Sequence, residues 1–182
     1  MAGRVIWITG LSGAGKTTLA RELIQRLQEC ESQPILLDGD ILRNLLQVSE
    51  NVLDSHSRKA RIKLALKYAQ MCRLLSDQGF IVVIATISMF DELYAWNREN
   101  ITNYFEVYLK VPLYELRRRD PKFIYQRYEN GELINVAGLD LSVDPPQTPH
   151  LTLDFENQPT IWQNPTALAD HLMAALNKLS PV

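Results

Sequence analysis

The stretch ITGLSGAGKTTLA, Ile8–Ala20, decides how the remaining residues read. It follows a short β-branched run, RVIWIT (4–9), and opens a segment with Leu19, Leu23, Ile24 and Leu27 at helical spacing through about Glu29. Within it, Gly10 to Thr17 fit G-x-x-x-x-G-K-[ST], whose glycines let successive main-chain N–H groups curl around an anion. The positive end of the following helix adds to that field. Gly10, Ser12, Gly13, Ala14, Gly15, Lys16, Thr17 and Thr18 are therefore the candidate phosphate cradle. Lys16 is placed to reach the outer phosphates and Thr17 to offer its hydroxyl to Mg²⁺. A strand before and a helix after are what this mechanism requires, and the expected ligand is a nucleoside triphosphate, ATP.

The flanking segments repeat the same alternation. PILLDGD (34–40) is an apolar run ending in acids, and FIVVIATIS (80–88) is the most β-prone stretch. YFEVYLKV (104–111) and LTLDF (151–155) read as further strands. Helices are expected from about Ser57 to Asp77, with Gly79 as the stop, over DELYAWNREN (91–100) and over 165–179. PLYELRRRD and PKFIYQRYENG read as short helices that each open with proline. This order predicts an α/β fold: a phosphate-loop, nucleotide-kinase-like, doubly wound three-layer sandwich around a mostly parallel sheet of about five strands.

With 182 residues, 46% of them hydrophobic and 22% charged, the chain can bury one core, so 1–182 is expected to form a single domain. A net charge of −2 argues against bulk nucleic-acid binding. No apolar run reaches membrane-spanning length, and a core strand at 4–9 leaves no room for a secretory signal, so a cytoplasmic location is expected. Cys30 and Cys72 lack metal-ligand spacing and read as buried or half-buried free thiols. His56, His150 and His171 likewise read as surface or loop residues.

Phosphate-loop proteins divide into switches, motors and small-molecule kinases. The N-K-x-D guanine-reading motif of a switch is missing, and a motor would be longer, with an apolar run entering paired acids. A small kinase needs an acceptor pocket and a basic cover, and three segments supply them. Asp38 and Asp40 of LLDGDILR would emerge at the carboxyl edge of the sheet. One can hold a Mg²⁺-bound water and the other can take the acceptor hydroxyl's proton; a helix cap by Asp40 fits either role. Arg43, Arg58 and Arg61 leave the same edge and suit an anionic acceptor group, whereas Lys59, Lys63 and Lys67 read as a solvated face. Residues 116–140, rich in Arg, Lys and Tyr, suit a lid that closes over phosphates and excludes water.

GLSGAGKTT, LLDGD, RRDPK, NGELINVAGLD and P-x-L-T-L-D together resemble the adenylylsulfate kinase family, in order and spacing, from Arg4 to Asp154. The resemblance implies transfer of the γ-phosphoryl of ATP to the ribose 3′-hydroxyl of adenylyl sulfate, with Mg²⁺, in a protein that is often a homodimer. It implies that Gly10 to Thr18 hold the ATP phosphates and Mg²⁺, and that Asp38 and Asp40 face the metal and the acceptor hydroxyl. Arg43 would touch the acceptor, Arg58 its anionic end, and Arg119 of R-D-P-K the ATP base. Ile87 and Ser88 fall on the family's F-I-S-P, whose serine is phosphorylated in some members, and Gly138 and Asp140 on the G-x-D of the lid.

The acceptor half departs from the pattern. Met89 and Asp91 stand where the family has Pro and Arg, Arg61 where it has Asn, and Val136 where it has an aromatic that stacks on the acceptor's adenine. Losing such a ring forfeits about 1–3 kcal/mol. Adenylyl sulfate is the first expectation for the acceptor. A second is a nucleotide carrying another small charged group, such as cytidine diphosphoramidate, for which Trp96 and Asn97 are on offer as added contacts, although Trp96 reads first as helix core. A non-catalytic nucleotide-binding module is the third, and intact Lys16, Thr17, Asp38 and Asp40 argue against it.

Overall fold

The computed structural model describes residues 3–30, 33–46 and 57–179. Its centre is β1 (Arg4–Thr9), where Val5, Ile6, Trp7 and Ile8 are at most 1% exposed. β3 (Ile81–Ala85) pairs along one side of β1 and β4 (Tyr104–Lys110) along the other. β2 (Ile35–Asp38) and β5 (Leu151–Asp154) complete a five-stranded sheet of order β2-β3-β1-β4-β5, with every pair parallel. Alternate residues serve the two faces, as period-two strands require. Ile6, Ile8, Val83, Val107 and Leu153 pack with α1 (Lys16–Glu29) and α7 (Pro165–Leu179). Val5, Trp7, Val82 and Ile84 pack with α3 (Arg58–Asp77) and α4 (Asp91–Asn100). Both faces are thus covered, which makes the expected three layers and explains why the strands read as unbroken apolar runs.

Three shorter helices surround the carboxyl edge: α2 (Gly39–Leu46), α5 (Leu113–Arg119) and α6 (Ile124–Glu129). Their starts correct the local expectations. β2 stops at Asp38, and the Asp38 carboxylate, not that of Asp40, caps α2 by accepting from the N–H of Asp40 at 2.9 Å and of Ile41 at 3.4 Å. Neither proline opens its helix. Pro112 is the residue before α5, and Pro121 lies in the turn before α6. The Asp120 carboxylate instead accepts from the N–H groups of Ile124, Tyr125 and Gln126, doing for α6 what a first-turn proline does by omission. β3 ends at Ala85 rather than running to Ser88. The Thr86 N–H still donates to Ile8, but then the hydroxyls of Thr86 and Ser88 pair at 2.8 Å and the chain leaves the sheet.

Cys72 is buried but Cys30 is exposed at the end of α1, unlike the shielded thiol expected there. His150 accepts from the Glu106 N–H at 3.0 Å and stacks on Phe105, and His56 lies outside the described residues. No described helix is long and apolar enough to cross a membrane.

Gly39 sets the closeness of β2 and α2 to the end of β3. A β-carbon there would stand 2.8 Å from Thr86 Oγ1, 3.0 Å from Thr86 Cβ and 3.1 Å from the Ala85 carbonyl oxygen. Gly39→Ala is therefore expected to destabilise the protein by about 1–3 kcal/mol in urea unfolding, because the neighbours are main chain and a β-branched side chain with little room to yield.

Candidate active site

The carboxyl ends of β1, β2 and β3 open into one cavity of about 650 Å³. Its floor is the loop after β1. Gly15, the residue before α1, has φ +97° and ψ +14°, a left-handed conformation that turns the chain into the helix without a capping side chain. The first N–H groups of α1 are left facing the cavity, as an anion site requires. Lys16 folds its ammonium back onto the Leu11 carbonyl oxygen at 2.8 Å. Burial holds that ammonium down at about 8, partly opposed by Asp40.

One contact ties the loop to the second strand: Thr17 Oγ1 donates to Asp38 Oδ2 at 2.8 Å. Both Asp38 oxygens are thereby engaged, one by Thr17 and one by the α2 cap. Asp40 also lines the cavity, and its carboxylate is paired with Lys122 from the turn before α6. The cations Lys16, Arg43, Arg61, Arg119 and Lys122 line this cavity against the two aspartates, in a chain whose net charge is −2. Such segregation of positive charge suits a polyanionic ligand.

The cover is the segment from α5 to Leu141. Tyr125 reaches down to donate to the Ser12 carbonyl oxygen at 2.9 Å, joining it to the phosphate loop. Asp140 accepts from the N–H of Asn135 at 2.7 Å and of Val136 at 2.6 Å. Burial works against the charge on Asp140, yet these main-chain donors hold its carboxyl below the ordinary range. Arg61 Nη2 donates to the Asn135 carbonyl oxygen at 2.7 Å, so α3 grips the same turn. Burial first, then the neighbouring Arg43, brings the Arg61 guanidinium down to about 10.

Most residues singled out in the sequence meet here. Ser12, Gly13, Gly15, Lys16, Thr17 and Thr18 line the cavity, as do Asp38, Asp40, Arg43, Arg61, Ile87, Ser88 and Arg119. Gly10 and Ala14 shape the loop without lining it. Arg58 does not line the cavity; it binds Asp144 at 2.6 Å and Glu92 at 3.3 Å, and its guanidinium lies 5.0 Å from the Phe90 ring centre. Asp91, which replaces the family's arginine, begins α4, where a negative charge is favourable. Val136 is buried and Gly138 packs on Leu11, while Ala137 and Leu141 form the wall between them. Trp96 packs in the α3–α4 core and Asn97 is buried against Tyr104, both away from the cavity. Lys59, Lys63 and Lys67 are exposed. Lys122, of the RRDPK stretch in the expected lid, also lines the cavity; Phe90 and Tyr68 are lining residues that the sequence did not single out, since each belongs to an element read for its core pattern alone.

Residues 2–154 match the family model described as adenylylsulphate kinase. A cytidine diphosphoramidate kinase of Campylobacter jejuni is 41% identical over 143 residues, covering 79% of this chain and 81% of that protein. An adenylyl-sulfate kinase of Pseudomonas aeruginosa is 35% identical, covering 97% of this chain and 87% of that one. The Mycobacterium tuberculosis APS kinase, solved in complex with AMPPNP and APS, has the same fold with a TM-score of 0.85 at 30% identity, covering 97% of this chain and 98% of that one.

The low-lying Lys16 ammonium has a measurable consequence. Below about pH 8 it is already protonated and meets a triphosphate at no cost; above that, binding must also take up a proton. ATP affinity measured by titration calorimetry is expected to fall about fivefold between pH 8 and pH 9, and Lys16→Met should abolish this dependence.

Proposed function

The chain belongs to the adenylylsulphate kinase family, and from that premise we propose that it transfers the γ-phosphoryl group of ATP to the ribose 3′-hydroxyl of adenylyl sulfate. The observation that carries this reading is the Thr17–Asp38 contact, which brings the phosphate loop and the two-aspartate turn to one cavity. The loop amides and Lys16 hold the phosphates and meet the charge that develops on the migrating group. Asp38 has both oxygens committed, so Asp40 is the group that takes the hydroxyl's proton once Lys122 turns to the phosphates. The hydroxyl oxygen then bonds to the γ-phosphorus as the bond to the β–γ bridging oxygen breaks, and ADP leaves. Arg43 and Arg61 face the acceptor's anionic end. Arg58, held by Asp144, supports that wall rather than touching the ligand.

Mg²⁺ fits the donors present. No group of three or more His, Cys, Asp or Glu side chains among the described residues could hold a metal. Thr17 and Asp38 do offer hydroxyl and carboxylate oxygens together, the sparse set that suits an ion held mainly by phosphates and water. When bound, it would neutralise charge on the outer phosphates. The segment 116–140 acts as the lid of a single kinase domain; a cytoplasmic homodimer completes the proposal, and sedimentation reads its size directly.

A second acceptor, cytidine diphosphoramidate, is favoured by the C. jejuni relative and by the small Val136 at the position of the family's base-stacking ring. An ADP-release assay with both acceptors separates the two. Adenylyl sulfate is expected to raise turnover well above the ATP-only rate; stimulation by the cytidine nucleotide alone would replace the first reading with the second. If ATP binds and neither acceptor stimulates, the protein is a binding module. Lys16→Ala is expected to lower transfer by about 10²–10³-fold.

A further inference from the structure

Arg119 ends α5 and borders the cavity, and its guanidinium is held by a carboxylate and two rings. Its Nε donates at 2.7 Å to Glu115 Oε1, on a carboxylate only 5% exposed. Arg118 grips the same carboxylate with bonds of 2.7 and 2.8 Å. Arg118 first, then Arg119, against the opposing pull of burial, brings Glu115 down to about 2, so the anchor stays charged at any working pH. Two rings pack on the guanidinium itself: Phe155 at 5.1 Å and Trp162 at 5.6 Å from its central carbon. The rings meet each other edge to face at 5.5 Å.

Phe155 ends the expected strand LTLDF, and Trp162 lies between that strand and the closing helix, where the sequence assigns no element; the segment is nonetheless firmly placed. The Phe155 N–H donates to the Lys110 carbonyl oxygen at 3.0 Å. The Asp154 carboxylate binds Lys110 Nζ at 2.8 Å and caps the next turn through the N–H of Glu156 and Asn157. Trp162 closes the 3₁₀ turn Pro159–Trp162, and its Nε1–H is buried without a hydrogen-bond partner.

We propose that Phe155 and Trp162 are positioning residues for the nucleotide base of ATP, acting through Arg119. A guanidinium clamped by Glu115 and backed by two rings is a rigid, flat cation, and such a plate stacks on a heterocycle at little entropic cost. The phosphate loop grips one end of the nucleotide and this plate the other. The inference rests on the kinase reading of the same cavity, and a base-free probe tells their failures apart.

Inorganic tripolyphosphate has the phosphates of ATP and no base. Trp162→Ala and Phe155→Ala are each expected to weaken ATP about tenfold. Both should leave tripolyphosphate binding and the KM of the acceptor unchanged, and Trp162→Phe should restore most of the ATP affinity. Arg119→Lys keeps the charge but not the plane; it should lose ATP affinity to the same degree, and adding Trp162→Phe to it should change nothing further. Unchanged ATP affinity in the folded alanine variants would overturn the proposal, as would equal losses for ATP and tripolyphosphate. Should the alanine variants fail to fold, the Arg119→Lys pair decides the matter alone. A wild-type protein that binds ATP no better than tripolyphosphate sinks this inference only; one that binds neither sinks the kinase reading beneath it.

Discussion

β1 has neither a free edge nor a free face. It is paired on both sides, and its interior residues are almost wholly removed from water by helices above and below. A strand held this way cannot easily slide or tilt, so the point at which the chain leaves it, between Thr9 and Gly10, is firmly placed. The phosphate loop begins there. Because every neighbour runs parallel, the ends of β2 and β3 arrive at the same edge, and the aspartates of one face the amides of the other.

That arrangement carries an electrostatic cost in the free protein. Lys16 and Arg61 both have their protonated forms disfavoured by burial, and Arg61 also by Arg43. A fold selected for stability alone would not gather these cations in one half-closed space. A polyanion that enters the cavity relieves the repulsion and supplies the charge that the missing water no longer screens. The carboxylates nearby offset this only in part: Asp40 and Asp38 favour the charged Lys16 and Asp140 the charged Arg61, but burial outweighs them.

How much of this could be read in the chain follows from the range of the forces involved. The loop, its flanking strand and helix, the all-covered sheet and the position of Asp38 and Asp40 are local or periodic, and all were legible. Which aspartate caps α2 was not, because Asp38 and Asp40 are equivalent in pattern and differ only in how the strand ends. Arg58 has the sequence position of an acceptor contact, yet Asp144, 86 residues away, holds its guanidinium outside the cavity lining, a contact of long range that no local pattern carries. Val136 and Ala137 are both buried, and only Ala137 lines the cavity, because the turn that carries them is pinned by Asp140, four residues from Val136, and by Arg61 of α3. Of the rings beside Arg119, Phe155 reads only as the end of a strand, and Trp162 lies beyond the last recognisable motif, in a stretch whose composition says only that a helix follows.

β5 is a four-residue edge strand, and it works as a gauge. Lys110 stands opposite Asp154 in its register with β4, and the residue after Asp154 is Phe155. A slip by one position would invert every side chain of β5 and carry Phe155 to the wrong side of the sheet. The ammonium of Lys110, bonded to Asp154, marks the correct alignment at an edge of the sheet, where β5 has a single neighbour to check against. Substitutions in this short outer ribbon would thus be felt as miscalibration far from any phosphate, in molecules whose overall architecture remained intact.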